Sequence, residues 1–247
     1  MESTLSSKGA FPKFKRVLVK LSGEALLGSR EYGIDPGTVN RFALELKSIL
    51  ESGVEVCIVI GGGNIFRGAA AESNGLDRAT GDYVGMLATI MNALVLQSAL
   101  ERMGVNAPVV SGLSMPSVCR HYNRRECLKN LQDKKIVIFA AGSGNPFFTT
   151  DTAAALRAAE MECDALLKAT KVNGVYDDDP IKNPKAKRFD HLTYEEVLVK
   201  NYKVMDAAAI SIARDNNIPI MVFSLLEKGN IEKTVNQQGE FTIIVNE

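Results

Sequence analysis

The sequence has few of the residues that build metal centres or disulfide frameworks. Only two of its 247 residues are histidines, His121 and His191. The cysteines form no Cys-x-x-Cys pair; they are Cys57, Cys119, Cys127 and Cys163. Zinc-ligand spacing therefore cannot be assembled, and isolated cysteines suit a reducing compartment. We expect a cytoplasmic protein without a metal site built from its own side chains.

No charge of either sign dominates, and no long apolar run is present. Lysine plus arginine and aspartate plus glutamate number 29 each, which argues against bulk attraction to nucleic acid or to a membrane. No uninterrupted apolar run approaches the roughly 18 residues of a spanning helix. Residues 1–15 also lack the apolar core of a signal peptide. We therefore expect no export, no membrane insertion and no nucleic acid partner.

The common nucleotide-binding and kinase motifs are missing as well. The sequence contains no Gly-x-x-x-x-Gly-Lys-Ser/Thr loop, no Gly-x-Gly-x-x-Gly fingerprint and no His-Arg-Asp or Asp-Phe-Gly pair. No histidine accompanies the glycine-rich segments, which disfavours an acceptor hydroxyl that needs a general base. An acceptor carboxylate or phosphate removes that need, because it is already anionic.

What the sequence does contain is an alternation of short apolar runs with helical patterns. Most of the runs lack polar alternation, as expected of strands covered on both faces. They are Arg16–Leu21, Val54–Ile60, Ala107–Ser111, Ile136–Ala140, Ala165–Lys168, Ile218–Phe223 and Phe241–Val245. Helical patterns run from Pro36 to near Gly53, from Thr80 to Met103 and from Thr152 to Met161.

This alternation predicts an α/β fold, a three-layer α/β/α sandwich around a mainly parallel twisted sheet. Ligands then belong at the carboxyl ends of the strands. We expect one domain over residues 15–247, preceded by a flexible tail of residues 1–14. Within Lys171–His191, Asn-Gly, Asp-Pro and Asn-Pro pairs predict a hairpin followed by an exposed excursion.

Two lysines stand in otherwise apolar strands. Lys20 lies near the end of the first run and is separated from Ser22-Gly23 by one leucine. Lys168 ends a later run. Either side chain could simply extend its ammonium group to water from a strand end. The alternative is that both ammonium groups serve as point charges for phosphate oxygens.

Three consecutive glycines follow another strand, in Gly61-Gly-Gly-Asn-Ile-Phe-Arg67-Gly68. Each glycine costs about 0.5–1 kcal/mol of ordering relative to alanine, so bare backbone must serve a purpose here. Close approach by a polyanion would fit, with Arg67 adding bidentate donors. A tight strand-to-helix turn is the alternative.

A second loop, Gly142-Ser-Gly-Asn-Pro-Phe-Phe-Thr-Thr-Asp151, leads into a helical run. Helix N-termini leave unpaired N–H donors that bind anions, and the threonine hydroxyls add further donors. Simple capping is the alternative, with Thr150 as the N-cap and Asp151 in the first turn. Capping leaves the two phenylalanines unexplained.

Weaker signals lie elsewhere. Tyr176 could shelter a purine, whereas the acidic run after it is typical of a solvated turn and lacks the pattern of a calcium loop. Asp82 could bind a ligand or could be a carboxylate at a helix start. Gly85, within a helical pattern, predicts close backbone packing or ligand approach.

Together these segments resemble the amino acid kinase superfamily and, within it, the bacterial uridylate kinases. The resemblance runs from about Lys15 to the C-terminus. It is carried by Lys20-Leu-Ser-Gly-Glu-Ala-Leu, Gly61-Gly-Gly-Asn-Ile-Phe-Arg-Gly, Gly81-Asp-Tyr-Val-Gly-Met-Leu-Ala-Thr-Ile-Met-Asn, Gly144-Asn-Pro-Phe-Phe-Thr-Thr-Asp and Lys168-Ala-Thr-Lys-Val-Asn-Gly-Val-Tyr. Mild departures from the family pattern are Ser143, Val84 and Asn173, where Thr, Met and Asp are usual.

The resemblance implies that ATP and UMP react to give ADP and UDP in pyrimidine nucleotide biosynthesis, with Mg²⁺ carried by ATP. The catalytic residues would be Lys20, Lys168, Asp151 and Arg67, with the lysines flanking the transferring phosphoryl group and Asp151 orienting them. ATP-binding residues would be Lys20, Leu21, Ser22, Gly23, Gly63, Arg67, Thr170, Tyr176 and Asp179. UMP-binding residues would be Gly62, Asp82, Ser143, Gly144, Asn145, Pro146, Phe147, Phe148, Thr149 and Thr150, with Asp82 on the ribose. A homo-oligomer, typically a homohexamer, and GTP and UTP as effectors are also implied.

Two other interpretations stay open. Another superfamily member could form an acyl phosphate on aspartate, glutamate or acetylglutamate, although the Gly-Asn-Pro-Phe-Phe-Thr-Thr segment looks shaped for a nucleotide acceptor. Alternatively, the chain could be a nucleotide sensor or storage protein without turnover, against which the presence of both lysines and Arg67 argues.

Overall fold

A nine-stranded sheet forms the centre of the computed structural model, which describes residues 13–67 and 75–246. In spatial order its strands are β4 (Arg120–His121), β3 (Val109–Ser111), β5 (Val137–Ala140), β2 (Glu55–Ile60), β1 (Arg16–Leu21), β6 (Ala165–Thr170), β10 (Ile220–Ser224), β11 (Phe241–Val245) and β9 (His191–Thr193). Neighbours from β4 to β10 pair in parallel, whereas β11 is antiparallel to β10 and parallel to β9. The carboxyl ends of the parallel strands therefore share one edge.

Helices cover both faces of this sheet. On the first face lie α1 (Pro36–Glu51), α2 (Arg78–Arg102) and α7 (Asn230–Val235). On the second face lie α3 (Arg124–Gln132), α4 (Thr150–Glu160), α5 (Tyr194–Val199) and α6 (Ala207–Asp215). The apolar side chains of each group join a separate core cluster, one on each side of the strands. The predicted three-layer α/β/α sandwich is confirmed.

Strand alternation decides which layer the two lysines face. Leu18 of β1 and Leu166 of β6 both belong to the second core cluster, and their strand neighbours belong to the first. Side chains two residues apart share a face of a strand, so Lys20 and Lys168 also face the second layer. The parallel register pairs Lys20 directly with Lys168. Both lysines thus emerge side by side beneath the helices of that layer.

Most predicted element ends are close to the observed ones. All seven predicted strands are present, and their ends differ by no more than two residues. Asp35 caps α1 through a bond from the Thr38 amide at 2.7 Å, directly before Pro36. The predicted cap of α4 is wrong by one residue. Thr149, with extended φ and ψ, caps α4, and its Oγ1 accepts from the amides of Asp151 and Thr152.

The segment after β6 was also predicted incorrectly in part. A hairpin does form, from β7 (Val175–Tyr176) and β8 (Arg188–Phe189), but the exposed excursion lies between these two strands and not after them. The pair Asn173-Gly174 precedes β7 and makes no hairpin turn. The amide of Val175 instead donates to Thr242 Oγ1 at 2.8 Å, and this bond ties the Asn-Gly segment to β11.

Helix α2 is long and apolar enough, by length and composition, to cross a membrane. Half of its most apolar window is buried within the protein, and side chains such as Ile90, Leu96 and Leu100 belong to the first core cluster. These inward side chains account for much of its hydropathy. We interpret α2 as a core helix of the sandwich.

Two sequence predictions reach beyond the described residues. Most of the predicted tail, residues 1–12, lies outside them, as does Gly68 at the end of the glycine-rich segment. Phe14, which was assigned to the tail, is buried at 5% exposure and packs in the first core cluster. The packed part of the chain therefore includes Phe14.

Candidate active site

Asp151 bridges the two strand lysines at the carboxyl edge of the sheet. Lys20 Nζ lies 2.9 Å from Asp151 Oδ1, and Lys168 Nζ lies 2.7 Å from Oδ2. The side chains of Lys20, Lys168 and Asp151 are 10%, 12% and 17% exposed. The strand register places the lysines together, and the first turn of α4 carries the carboxylate over them. One buried carboxylate therefore holds two ammonium groups in place.

The contacts within the triad lower the pKa of Asp151 and also that of Lys168. Burial alone would raise the pKa of Asp151, but the charges and hydrogen bonds of Lys20 and Lys168 outweigh it, and the pKa lies below its ordinary value. The pKa of Lys168 is also lowered, first by burial and then by the charge of Lys20, although Asp151 opposes the shift. Within the triad two ammonium groups share one carboxylate, and the charge of Asp206 adds a smaller effect that favours the charged form of Lys168. The triad itself therefore carries more positive than negative charge, which suits an anion.

Asp206, directly before α6, ties down the helix turn that carries Asp151. Its Oδ2 accepts hydrogen bonds from the hydroxyls of Thr149, at 3.0 Å, and Thr152. Lys168 Nζ also donates to the carbonyl of Val204 in the same segment. Sequence reasoning missed Asp206 because the residues around it form no recognisable motif. Asp206 is also far along the chain from α4, so the sequence did not indicate that the two are in contact.

The glycine loop after β2 packs against protein backbone on two sides. A Cβ at Gly61 would lie 2.9 Å from the amide nitrogen of Gly23, and one at Gly62 would lie 2.7 Å from the carbonyl oxygen of Gly85. Neither position could accept a side chain without displacing backbone. Gly63 differs, since its nearest neighbour would be Glu24 Cγ at 3.7 Å. The first two glycines thus allow close contact with the β1 loop and with α2.

A buried pair of amide side chains fixes this loop. Asn64 Nδ2 donates to Asn92 Oδ1 at 3.0 Å, and Asn92 Nδ2 donates back to Asn64 Oδ1 at 2.7 Å. Asn92 Nδ2 also donates to the Gly61 carbonyl at 2.7 Å, and Asn64 Nδ2 to the Gly33 carbonyl at 2.9 Å. Buried polar groups are costly unless bonded, so this mutual pairing specifies one loop position.

A cavity of about 270 Å³ opens between the glycine loop, α2 and the loop before α4. Seven of the residues that the resemblance assigns to UMP line it: Gly62, Asp82, Ser143, Asn145, Phe148, Thr149 and Thr150. Three others, Gly144, Pro146 and Phe147, are not part of the lining. Lining residues beyond that assignment are Gly63, Phe66, Arg78, Gly81, Gly85, Met86, Thr89 and Gly142. A Cβ at Gly85 would meet open space, so that helix position widens the cavity.

Asp82 holds the loop before α4 against α2. Its carboxylate accepts two bonds from Arg78 Nε, at 3.0 and 2.9 Å, and one from the Phe147 amide at 2.8 Å. Phe147 has a left-handed φ of 72°, an unfavourable conformation for this residue that the bond helps to stabilise. Asp77, not Asp82, caps α2 by accepting from the Thr80 amide. Asp82 is therefore not the helix-start carboxylate.

The remaining predicted residues lie along the loops that follow β1 and β6. Ser22 precedes a 3₁₀ turn, Gly23–Leu26, without a capping bond from its side chain. Thr170 ends β6, and its Oγ1 accepts from the Val172 amide at 2.9 Å. Tyr176 donates to Asn173 Oδ1, whereas Asp179 lies exposed in the excursion and accepts from the Ile181 amide. None of these residues lines the cavity.

Arg67 and Lys171 both pair with Glu24, and the sequence analysis singled out neither Glu24 nor Lys171 as a site residue. Arg67 Nη2 lies 3.2 Å from Glu24 Oε1, while Lys171 Nζ lies 2.9 Å from Glu24 Oε2. Glu24 and Lys171 both stand inside quoted motifs, so their positions were visible. Their mutual contact was not, because 147 positions separate them along the chain.

The described His, Cys, Asp and Glu side chains fit a metal ion that enters the site already bound to a substrate phosphate. Among residues 13–67 and 75–246, no group of three or more His, Cys, Asp or Glu side chains could hold a metal ion. Both oxygens of Asp151 face lysine ammonium groups. Mg²⁺ commonly keeps several waters and binds through substrate phosphates with one or two carboxylates. A protein-built metal cage is therefore not needed here.

Replacing Asp151 by asparagine should destabilise the protein by about 3–5 kcal/mol at pH 7, because two buried ammonium groups lose their counter-charge. The folded-state pKa of Asp151 is depressed, so its contribution is complete above the ordinary value of 3.8 and declines as the pH falls through the lowered value. Urea unfolding from pH 7 towards pH 3 measures this.

Asp215→Asn is the control, because Asp215 forms an exposed pair with Arg214 and should change stability by less than about 0.5 kcal/mol. Equal stability of Asp151→Asn and the unmodified protein at pH 7 would contradict the assignment.

Comparison with known proteins identifies the family. The amino acid kinase family model matches residues 15–224. The uridylate kinase of Paramagnetospirillum magneticum is 57% identical over 235 residues, with 95% of this chain and 98% of the relative covered. That of Erythrobacter litoralis is 55% identical over 237 residues, with 96% and 100% covered.

Solved structures show the same similarity. The crystal structure of a UMP kinase from Bacillus anthracis superposes with a TM-score of 0.92 at 39% identity, covering 96% of this chain and 98% of that one. A UMP kinase from Ureaplasma parvum gives a TM-score of 0.90 at 36% identity, covering 94% and 99%. From its sequence match, its near full-length relatives and its sheet order, this chain belongs to the amino acid kinase family.

Proposed function

We propose that this protein transfers the γ-phosphoryl group of ATP to UMP, giving ADP and UDP. The observation that carries the proposal is the buried triad, in which Asp151 holds Lys20 and Lys168 together at the carboxyl edge of the sheet. Full-length relatives named uridylate kinase support the choice of UMP as acceptor. The cavity near the triad measures about 270 Å³, close to the lower end of the range of ligand pockets.

The proposed residue roles are those that the family resemblance implies. Lys20 and Lys168 would contact the transferring phosphoryl group, Asp151 would orient them, and Arg67 would bind phosphate. The rest of the ATP site would comprise Leu21, Ser22, Gly23, Gly63, Thr170, Tyr176 and Asp179. The acceptor would lie in the cavity, against Gly62, Asp82 and residues 143–150.

Transfer would proceed in line through a loose state, in which charge spreads over the equatorial oxygens of the phosphoryl group. An oxygen of the UMP phosphate bonds to the γ-phosphorus, and the bond to the bridging oxygen breaks, so that ADP leaves with the electron pair. The two ammonium groups stabilise the charge that develops, and they need no reorganisation because Asp151 already holds them. No base is required, since a phosphate with a second pKa near ~6 is largely dianionic at neutral pH.

The proposal includes several features that the resemblance implies. Mg²⁺ would arrive bound to the ATP phosphates and would supply further neutralisation of their charge during transfer. The setting would be the cytoplasm and pyrimidine nucleotide biosynthesis, with GTP and UTP as effectors. These features rest on the family resemblance, and the donor set described above bears only on Mg²⁺.

We also propose that the chain forms a homo-oligomer, with a homohexamer as the expected state. An apolar stripe supports it, formed on α2 by Tyr83, Leu87, Met91 and Val95 at intervals of four residues. These side chains are 43%, 44%, 53% and 38% exposed. Residues spaced in this way share one helix face, and the same stripe on a second copy could cover it about a two-fold axis.

An acceptor panel tests the reaction. With ATP and Mg²⁺, coupled ADP release should be rapid with UMP and at background with aspartate, glutamate and N-acetylglutamate, because seven of the residues that the resemblance assigns to UMP line the cavity. CMP and dUMP in the same panel measure how strictly the base and the ribose are recognised. Turnover with an amino acid and none with UMP would favour an acyl phosphate kinase. Tight binding of ATP and UMP without any UDP would favour a sensor or storage protein.

Met91→Glu tests the apolar stripe. A carboxylate at its centre should lower the mass measured by light scattering, because burying that charge in an interface is costly. Val199→Glu is the control, since Val199 is 76% exposed and lies on α5 in the opposite layer. The mass of the Val199→Glu variant should equal that of the unmodified protein. An unchanged mass of Met91→Glu would exclude this stripe as an interface.

A further inference from the structure

Glu24 stands between two cations at the mouth of the proposed ATP site. It belongs to the 3₁₀ turn that follows β1, Arg67 belongs to the loop after β2, and Lys171 directly follows β6. Because β1 lies between β2 and β6 in the sheet, the Glu24 loop is the middle one of three. Its carboxylate reaches both ways, to Arg67 at 3.2 Å and to Lys171 at 2.9 Å. We call this arrangement the Glu24 bridge.

The Glu24 bridge joins charged side chains, but these are partly exposed, so little free energy is needed to separate them. Hydrogen bonding to Lys171 lowers the pKa of Glu24 against a smaller effect of burial, and the charges of Lys171 and Arg67 lower it further. Glu24 is therefore ionised at neutral pH. Its side chain is 36% exposed, and those of Arg67 and Lys171 are 61% and 63% exposed. Exposed ion pairs of this kind are individually weak.

A carboxylate that accepts from an arginine and a lysine uses the same donors that bind phosphate oxygens. The backbone beneath it is fixed, because Gly23 packs so closely on the glycine loop that a Cβ would lie 2.6 Å from the Gly63 amide nitrogen. The side chain of Glu24 can therefore swing away while its loop stays in place.

We propose that Glu24 is an internal substitute for phosphate, which pairs with Arg67 and Lys171 and must be displaced from them when ATP binds. Glu24 thereby sets the affinity for ATP, and Lys171 becomes a further phosphate-binding residue. This inference rests on the proposed function, in which Arg67 serves the ATP phosphates. The bridge keeps the two cations from repelling one another while the site is empty. The cost is weaker ATP binding.

Glu24→Gln tests the proposal, because it keeps the length of the side chain and removes its charge. ATP binding, measured by calorimetry without acceptor, should tighten about three- to tenfold, the effect expected from two partly exposed ion pairs. The gain should shrink at high salt, since screening weakens exposed charges. Lys171→Gln should weaken ATP binding, and UMP affinity should change by less than about twofold in Glu24→Gln.

Glu51→Gln is the matched control. Glu51 forms an exposed pair with Lys47 on α1, at the end of the helix that precedes the amino end of β2, so ATP affinity should not change. Unchanged or weaker ATP binding in Glu24→Gln would overturn the proposal, and weaker binding that depends on Mg²⁺ would make Glu24 a metal ligand instead. If the unmodified protein bound no ATP, the proposed kinase function itself would be wrong. This result differs from the one that would overturn only the role of Glu24.

Discussion

The site depends on one carboxylate that neutralises two buried ammonium groups. Without Asp151, two adjacent strands would bring like charges together in a poorly solvated place, which is strongly unfavourable. With it, the lysines are fixed and still carry a surplus charge. The rest of the site serves this contact, since the Thr149 cap and the hydroxyl bonds to Asp206 hold the turn of α4 from which Asp151 projects.

The second constraint is close packing of backbone on backbone. Gly61 and Gly62 bring the loop after β2 against the β1 loop and against α2, and the Asn64–Asn92 pair locks that position. The three loops after β2, β1 and β6 therefore meet as neighbours at one edge of the sheet. In the proposed reaction, the groups that these loops offer to phosphate would be organised before a ligand arrives, and such preorganisation is a main source of electrostatic catalysis.

Local sequence patterns predicted the fold well, because they report burial directly. Apolar runs without alternation gave strands covered on both faces, and Asp35-Pro36 gave a helix start where one is found. Predictions failed where tertiary bonds overrode local preference. Val175 bonds to Thr242 and draws Asn173-Gly174 away from a hairpin turn, and the choice between Thr149 and Thr150 as cap depended on backbone angles that neither residue type specifies.

The candidate site was predictable where its residues stand in motifs. The two lysines, the glycine loop and the loop before α4 were identified from residue type and spacing, and the structure places them at one edge of the sheet. Arg78 was missed although it pairs with Asp82 four residues later on α2, a spacing that the sequence shows. Asp206 and the contact of Glu24 with Lys171 could not be identified, because each depends on pairing between distant segments. A single sequence carries no signal for such pairs.

In the proposed reaction, Asp151 presents both ammonium groups to one transferring phosphoryl group. The most direct test is the single-turnover rate of UDP formation in Lys20→Met and in Lys168→Met, with saturating ATP and UMP. Each variant should lose about 10²-fold or more in rate, because each removes a charge that acts in the transition state. A rate within a few fold of the unmodified protein in either variant would contradict this proposal.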